Sequence, residues 1–405
     1  MLTGVRVPIE SSAEHSAPEP KRPTLLCFSH LRWDFVFQRP QHLMTRFARA
    51  MRVVYWEEPV AIGSGEDARL DVRQPDPAIN LRIVIPHLPE GLSEQAQQAA
   101  LKRLLDGFVL TLQTPIVAWY YTPMMLPFTR HLDADAIVFD AMDELSKFRF
   151  APPRLLALEQ EVIDRADLVF TGGSSLYEAK KGRHHSVHCF PSSVDRPHFM
   201  QARSARSEPA DQAALPRPRL GFYGVIDERF DLALLDQAAE ARPDWSWVMV
   251  GPVVKIAEDD LPRRSNIHYL GGKTYAELPA YLSGWDVALM PFAMNESTEF
   301  ISPTKTPEYL AGGRPVVSTP VKDVVRHYGH LEGVSIAADA EAFVAACDAA
   351  LALSRDPTGD WLAEADVMLS ATSWDTVQAR MAGLIAEVLG ERTETRIPAL
   401  LVAAE

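Results

Sequence analysis

The sequence predicts an α/β protein made of two Rossmann-like domains that face each other across a cleft. Two observations carry this expectation. Short apolar runs rich in Val, Ile and aromatic residues alternate with amphipathic stretches, the pattern of a parallel sheet covered by helices on both faces. The alternation occurs twice, over 24–200 and again over 219–372, separated by a stretch at 201–218 rich in Ala, Ser, Pro and charge that reads as a linker or long surface loop.

In chain order, 24–29 reads as a first strand. Arg39-Pro40 opens a helix to about residue 50, with the proline compatible with a first helical turn. Strands follow at 53–56 and 81–85, a helix at 94–112, strands at 115–120 and 136–140, a helix at 153–165 and a strand at 167–171 that ends on Gly172 and Gly173. The second series begins with a strand at 219–223 entering Gly224. Strands at 245–250 and 267–270 each run into glycine, and a helix is expected at 274–282 and a strand at 287–290. An amphipathic helix at 373–390 closes the fold by packing back on the first domain, and 391–405 is a tail. Residues 1–23, rich in Pro, Ser and Glu and without the apolar core of a signal peptide, read as a disordered leader.

A chain of 405 residues has room for two domains of ordinary size, and 47% hydrophobic residues can fill their cores. A formal charge of -14 excludes general nucleic-acid binding, which needs a basic surface, but leaves room for a local basic pocket. Only Cys27, Cys189 and Cys347 occur, too few and too scattered for a disulfide framework or a zinc site, and they fit a reducing cytosol. His184, His185 and His188 lack cysteine or carboxylate partners at ligand spacing and read as a solvated loop; no metal is expected. No apolar run is long enough for a transmembrane helix.

The most informative stretch is 302–317, SPTKTPEYLAGGRPVV. It follows the apolar run DVALMPF at 286–292, holds one short helix closed by Gly312 and Gly313, and begins a new strand at Pro315. Ser302 or Thr304 can cap the helix start, and such a start attracts phosphate through its free N–H groups and the helix dipole. Lys305 adds a cation there, and Glu308, three residues on, can accept from a ribose diol. The alternative is an ordinary solvated ion pair. The flanking buried strands favour a ligand site, because they put the helix start at the carboxyl edge of a parallel sheet.

Other clusters fall at the same kind of edge. Gly224, at the end of GFYG, lets backbone approach a phosphate, and Arg229 offers a second cation; the alternative is a tight turn. His268, in HYLGG, is placed to meet a base if the strand phase turns it inward. Asp140 and Asp143, in DAMDE after a first-domain strand, either position and deprotonate an acceptor hydroxyl or cap the next segment. Arg39 and His42, in the stretch after the first strand, are expected to meet an anionic group across the cleft.

Taken together, these residues resemble GT-B glycosyltransferases, in particular family 4-like (group 1) enzymes. The strongest matches are 303–317 and 286–292; ADLVFT at 166–171, FPSSVD at 190–195 and the segment from Trp374 are similar to the last strand, interdomain crossing and returning helix of such enzymes. The resemblance implies transfer of a sugar from a nucleoside-diphosphate sugar to an alcohol acceptor in glycan or polysaccharide synthesis. Glu308 would hold the donor ribose, and Lys305 and Arg229 the diphosphate, with no metal cofactor. The chain departs from the family pattern at Phe300, where the first of two glutamates is usual, with Glu299 one residue away, and carries Ser192-Ser193 where many relatives have Asn-Gly. Expected catalytic residues are Asp143, Lys305 and Arg229. Expected donor contacts are Gly224, Arg229, His268, Ser302, Thr304, Lys305 and Glu308, and expected acceptor contacts are Arg39, His42 and Asp140. The expected acceptor is a sugar, with a lipid-linked one at the inner face of the membrane left open. Two rival readings are a nucleotide-sugar epimerase of the same fold and a non-catalytic sugar-nucleotide-binding protein.

Overall fold

A computed structural model describes residues 22–204, 207–356 and 358–402, with side chains to Arg392. Of the expected leader at 1–23 only residues 22 and 23 are described, and the expected tail at 391–405 is corrected to helix as far as Val402.

The first sheet contains nine strands among the described residues: β1 (Thr24–Phe28), β2 (Arg52–Trp56), β3 (Val60–Ile62), β4 (Arg69–Arg73), β5 (Leu81–Pro89), β6 (Ile116–Tyr120), β7 (Ala136–Ala141), β8 (Leu168–Thr171) and β9 (Val187–Cys189). Their order is β3-β5-β2-β1-β6-β7-β8-β9, parallel throughout except that β4 pairs antiparallel with β5. The central strands β1 and β6 are buried at every position, as apolar runs lying between two helix layers must be. β3 and β4 are not evident in the sequence, because both are largely exposed: β3 is an apolar run of only three residues, and charges interrupt β4.

The second sheet orders β10 (Arg219–Tyr223), β11 (Ser246–Val250), β12 (Ile267–Tyr269), β13 (Val287–Met290), β14 (Val316–Ser318) and β15 (Val334–Ile336) as β12-β11-β10-β13-β14-β15, all parallel. In each sheet the strand order reverses at the first strand of the series: β1 lies between β2 and β6, and β10 between β11 and β13. A crevice opens beyond the carboxyl ends of strands at such a switch point. The loop after β1 and the turn at Gly224 after β10 therefore both face the space between the sheets.

Two expectations about connections change. The stretch at 201–218 is not a free linker. It contains the short helix Ala210–Ala213, and Gln212 is fully buried, accepting from Trp285 Nε1 at 2.8 Å and donating to Tyr281 O at 2.9 Å. Its polar composition concealed a side chain that satisfies two buried groups at once. The helix expected at 274–282 is broken into a 3₁₀ turn at Tyr275–Glu277 and an α-helix at Leu278–Ser283, with Pro279 in the first turn of the latter. The last helix, Trp374–Val402, is longer than expected, and its Trp374, Val377, Met381 and Ile385 join the core beneath β1 and β2. Arg46 of the helix Arg39–Phe47 and Arg49, just past its end, both pair with its Asp375.

Candidate active site

A cavity of about 760 Å³ lies between the two sheets at their switch points, within the usual range for a small-molecule site. The loop after β1, the segment after β7 and Ser192 line one side; the turns after β10 and β11, the 272–278 segment and residues 301–308 line the other.

The second-domain side is built on backbone contact. Gly224 has φ +143° and Gly251 φ +148°, both in the region open to glycine. A Cβ at Gly224 would meet Lys305 Cε at 2.3 Å, and one at Gly251 would lie 1.8 Å from Gly224 O. Glycine is thus required at both strand ends, and Lys305 lies directly over the first. Its Nζ sits 5.8 Å from the ring centre of Phe222 and 6.0 Å from that of Phe292. Burial lowers its pKa, opposed by Glu308 and reinforced by Arg229. Lys305 is the first residue of the helix Lys305–Ala311. The expected cap does not form as read: Thr304 is the N-cap residue but makes no side-chain capping bond, and its carbonyl accepts from Glu308 N at 3.3 Å. Ser302 lines the cavity ahead of it.

Glu308 is 6% exposed, and its Oε2 accepts from Tyr223 Oη at 2.9 Å. Burial pushes its pKa up to about 7, against the pull of Lys305, Tyr223 and Thr304. Tyr223 is held in turn by Tyr309, whose Oη accepts from Tyr223 N at 3.0 Å. Arg229 is fixed by the buried Asp227, which accepts from Nη2 at 2.7 Å and from Nε, and its guanidinium lies 5.4 Å over the ring of Phe148 from the opposite domain. Asp143 lines the first-domain side, and its pKa is raised chiefly by burial, with Arg229 opposing. Asp143 is thus a half-buried carboxylate whose charged form is disfavoured by desolvation and favoured by Arg229.

Four sequence-predicted residues stand elsewhere. Asp140 is fully buried and accepts two bonds from Arg39, Nε to Oδ2 at 3.0 Å and Nη2 to Oδ1 at 2.9 Å, while Arg39 Nη1 donates to Phe190 O at 2.8 Å. Arg39 touches the cavity wall but is 2% exposed with three of its five N–H donors engaged, and Asp140 does not reach the cavity, so the expectation that this pair meets an acceptor is corrected to a framework ion pair beneath the loop after β1. His42 is 2% exposed and stacks on Trp374 at 4.7 Å and 10°, which removes it from the cavity. His268, half-buried at the middle of β12, is not among the lining residues.

The sequence reading missed Tyr223, Asp227, Gly251 and the aromatic wall. Asp227 stands two residues from Arg229, and Gly251 ends its strand as Gly224 does, so both carried a local signal. The wall did not: Phe37 stacks on Tyr275 across the domains at 4.4 Å and 25°, and Tyr275 stacks on His198 at 4.2 Å and 9°. These residues are far apart in the chain. Phe300, at the position where a glutamate is usual, packs on the core of the first domain, and Glu299 is paired with Lys322 at 2.8 Å. Neither lines the cavity.

This pair of facing parallel sheets, each with its ligand edge turned to the other, is the GT-B architecture. Among solved structures, the chain is similar to sucrose-phosphate synthase from Thermosynechococcus elongatus (TM-score 0.65, 16% identity, 92% of this chain and 100% of the other). It is likewise similar to a trehalose-6-phosphate protein from E. coli bound with UDP-2-fluoro glucose (TM-score 0.64, 13% identity, 90% and 99%) and to Anabaena Alr3699/HepE in complex with UDP (TM-score 0.61, 13% identity, 90% and 100%). More particularly, residues 217–353, in the second domain, match the family model "Glycosyl transferases group 1". A curated relative, the putative teichuronic acid biosynthesis glycosyltransferase TuaH of Bacillus subtilis, is 27% identical over 267 residues, 59% of this chain; the match spans 64% of the length of that relative.

Proposed function

We propose that this chain is a glycosyltransferase that moves a sugar from a nucleoside-diphosphate sugar to the hydroxyl of a sugar acceptor. The observation that carries the reading is Lys305 lying over Gly224, with Glu308 held by Tyr223 behind it, inside the stretch that matches the group 1 family model and beside the first-domain Asp143. In this reading 219–372 carries the donor, 24–200 the acceptor, and the helix from Trp374 ties the two together. Glu308 accepts from the ribose diol, and Lys305 and Arg229 face the diphosphate. As the bond from the anomeric carbon to the diphosphate breaks, charge grows on the leaving oxygen, and these two cations stabilise it without a metal ion. The new bond forms to the acceptor oxygen. Its proton passes to Asp143 if the configuration inverts, or to the leaving diphosphate if it is retained, in which case Asp143 positions the hydroxyl. Water exclusion by the closed cleft protects the donor from hydrolysis.

UDP is the first probe, because two of the similar structures hold UDP or a UDP-sugar. The relative's role in teichuronic acid synthesis supports glycan assembly, with a lipid-linked acceptor at the cytoplasmic membrane face as the finer form of the proposal. No helix among the described residues is long and apolar enough to cross a membrane. The test is a thermal-shift screen of nucleoside diphosphates and their sugars, followed by product analysis with and without an added sugar. A donor-specific rise in Tm and acceptor-dependent release of nucleoside diphosphate are expected. An epimeric sugar formed from donor alone would replace transfer by isomerisation, and binding without turnover across acceptors would leave a sensor.

A further inference from the structure

The two domains meet a second time, away from the aromatic wall. Asp323 belongs to the second-domain helix Lys322–Tyr328 and is 1% exposed. Its carboxylate takes three hydrogen bonds from the first domain: Ser174 N to Oδ2 at 2.8 Å, Ser175 N to Oδ1 at 2.9 Å and Ser175 Oγ to Oδ1 at 2.5 Å. One turn on, His327 Nε2 lies 2.8 Å from Ser174 Oγ. The segment Ser174–Lys180 follows Gly173, which has no side chain of its own to meet those N–H groups, so the acceptor comes from the other domain. Gly173 also sets how closely the domains approach. A Cβ there would fall 2.4 Å from Asp323 Oδ2 and 2.5 Å from Ser302 Cβ. Ser302 is where the segment leading to Lys305 and Glu308 enters the cavity, and just before it Phe300 packs on first-domain core residues.

We propose that Asp323 is a positioning residue: its bonds to Ser174 and Ser175 clamp the domains at Gly173 and thereby hold the 300–305 segment, and with it Lys305, in register with the first-domain side of the cavity. The contact stands on geometry alone; its catalytic consequence rests on the donor-site reading above. A buried carboxylate satisfied by three donors is strong and directional, and its loss leaves two N–H groups unpaired. The clamp differs from an ordinary stabilising bond in where its loss is felt. A merely local role would loosen 173–176 alone, whereas a clamp loosens 300–305 as well.

Hydrogen exchange on the full chain separates these. In Asp323→Asn, amides of both 173–176 and 300–305 should exchange about tenfold faster than in wild type, and in Ser175→Ala, which removes the Oγ bond but keeps both backbone N–H bonds, about twofold faster, with strands β1 and β10 unchanged in each. Steady-state assays should show kcat down about tenfold with UDP affinity, measured by calorimetry, within about twofold of wild type. Faster exchange at 173–176 with 300–305 unaltered overturns the clamp, as does uniform acceleration across the protein. If wild type transfers no sugar from any donor, the functional reading fails while the exchange result still decides the clamp.

Discussion

The two walls of the cavity are made in different ways. On the second-domain wall the charged groups reach the cavity: Lys305 over Gly224, Arg229 locked to Asp227, Glu308 held by Tyr223. On the first-domain wall the ion pair of Arg39 with Asp140 is buried, and what chiefly meets the cavity is the loop with Trp33, Asp34, Phe35 and Phe37 together with Asp143. One wall is a preset electrostatic cradle, and the other is a largely aromatic platform that carries the carboxylates of Asp34 and Asp143. Fixed charge suits a phosphate group that is the same in every donor; an aromatic platform suits the faces of sugar rings, which vary.

The largest expected effect tests the buried pair. Asp140→Ala strands the Arg39 guanidinium and should cost about 3–5 kcal/mol of stability, read by urea denaturation. A rise in acceptor KM with stability intact would instead return Asp140 to the cavity wall and erase the contrast. Next comes the cradle. Lys305→Ala should lower kcat about 100- to 1,000-fold with Tm close to wild type, and a rate within about threefold of wild type would remove Lys305 from the chemistry.

The third prediction uses pH. Burial holds the Glu308 pKa at about 7, above its ordinary value of 4.5. Between these values the folded state keeps a proton that the unfolded state has lost, so this group's contribution makes stability fall by about 3 kcal/mol as pH rises across the window. Binding runs the other way. If the carboxylate accepts from the ribose diol, UDP affinity should rise about tenfold between pH 6 and pH 8, and Glu308→Gln should flatten that rise. A profile unchanged in the variant would show that the titration of UDP itself accounts for it. The smallest effect belongs to the platform. Phe37→Ala loses the stack on Tyr275, worth about 0.5–1.5 kcal/mol, and should raise acceptor KM a few-fold while UDP affinity stays the same. Equal losses for both ligands would mean that the ring belongs to neither wall alone.

The contrast also explains what the sequence disclosed. The cradle is legible because its parts are close in the chain: Lys305 and Glu308 share one helical turn, and Gly224 and Arg229 one strand-to-loop step. Asp140 and Arg39 were visible as charges at a sheet edge, but their mutual burial was not, since the partners are 101 positions apart and no spacing rule joins them. The same holds for His42 under Trp374 and for Asp323 against Ser174. Helices and central strands were readable from periodicity, whereas β3 is too short and β4 too charged to stand out, and Gln212 sits in a stretch whose composition mimics a linker. Local chemistry was written in neighbouring letters, and long-range pairing was not.

The contact between Gly251 and Gly224 has a consequence for how such proteins diversify. Because a methyl group at Gly251 would sit 1.8 Å from Gly224 O, the floor of the cavity there is backbone against backbone. A surface made of main chain keeps its shape while side chains around it turn over by mutation. Substitutions at the rim are therefore free to change what the cavity accepts, residue by residue, while the floor passes unchanged from one specificity to the next.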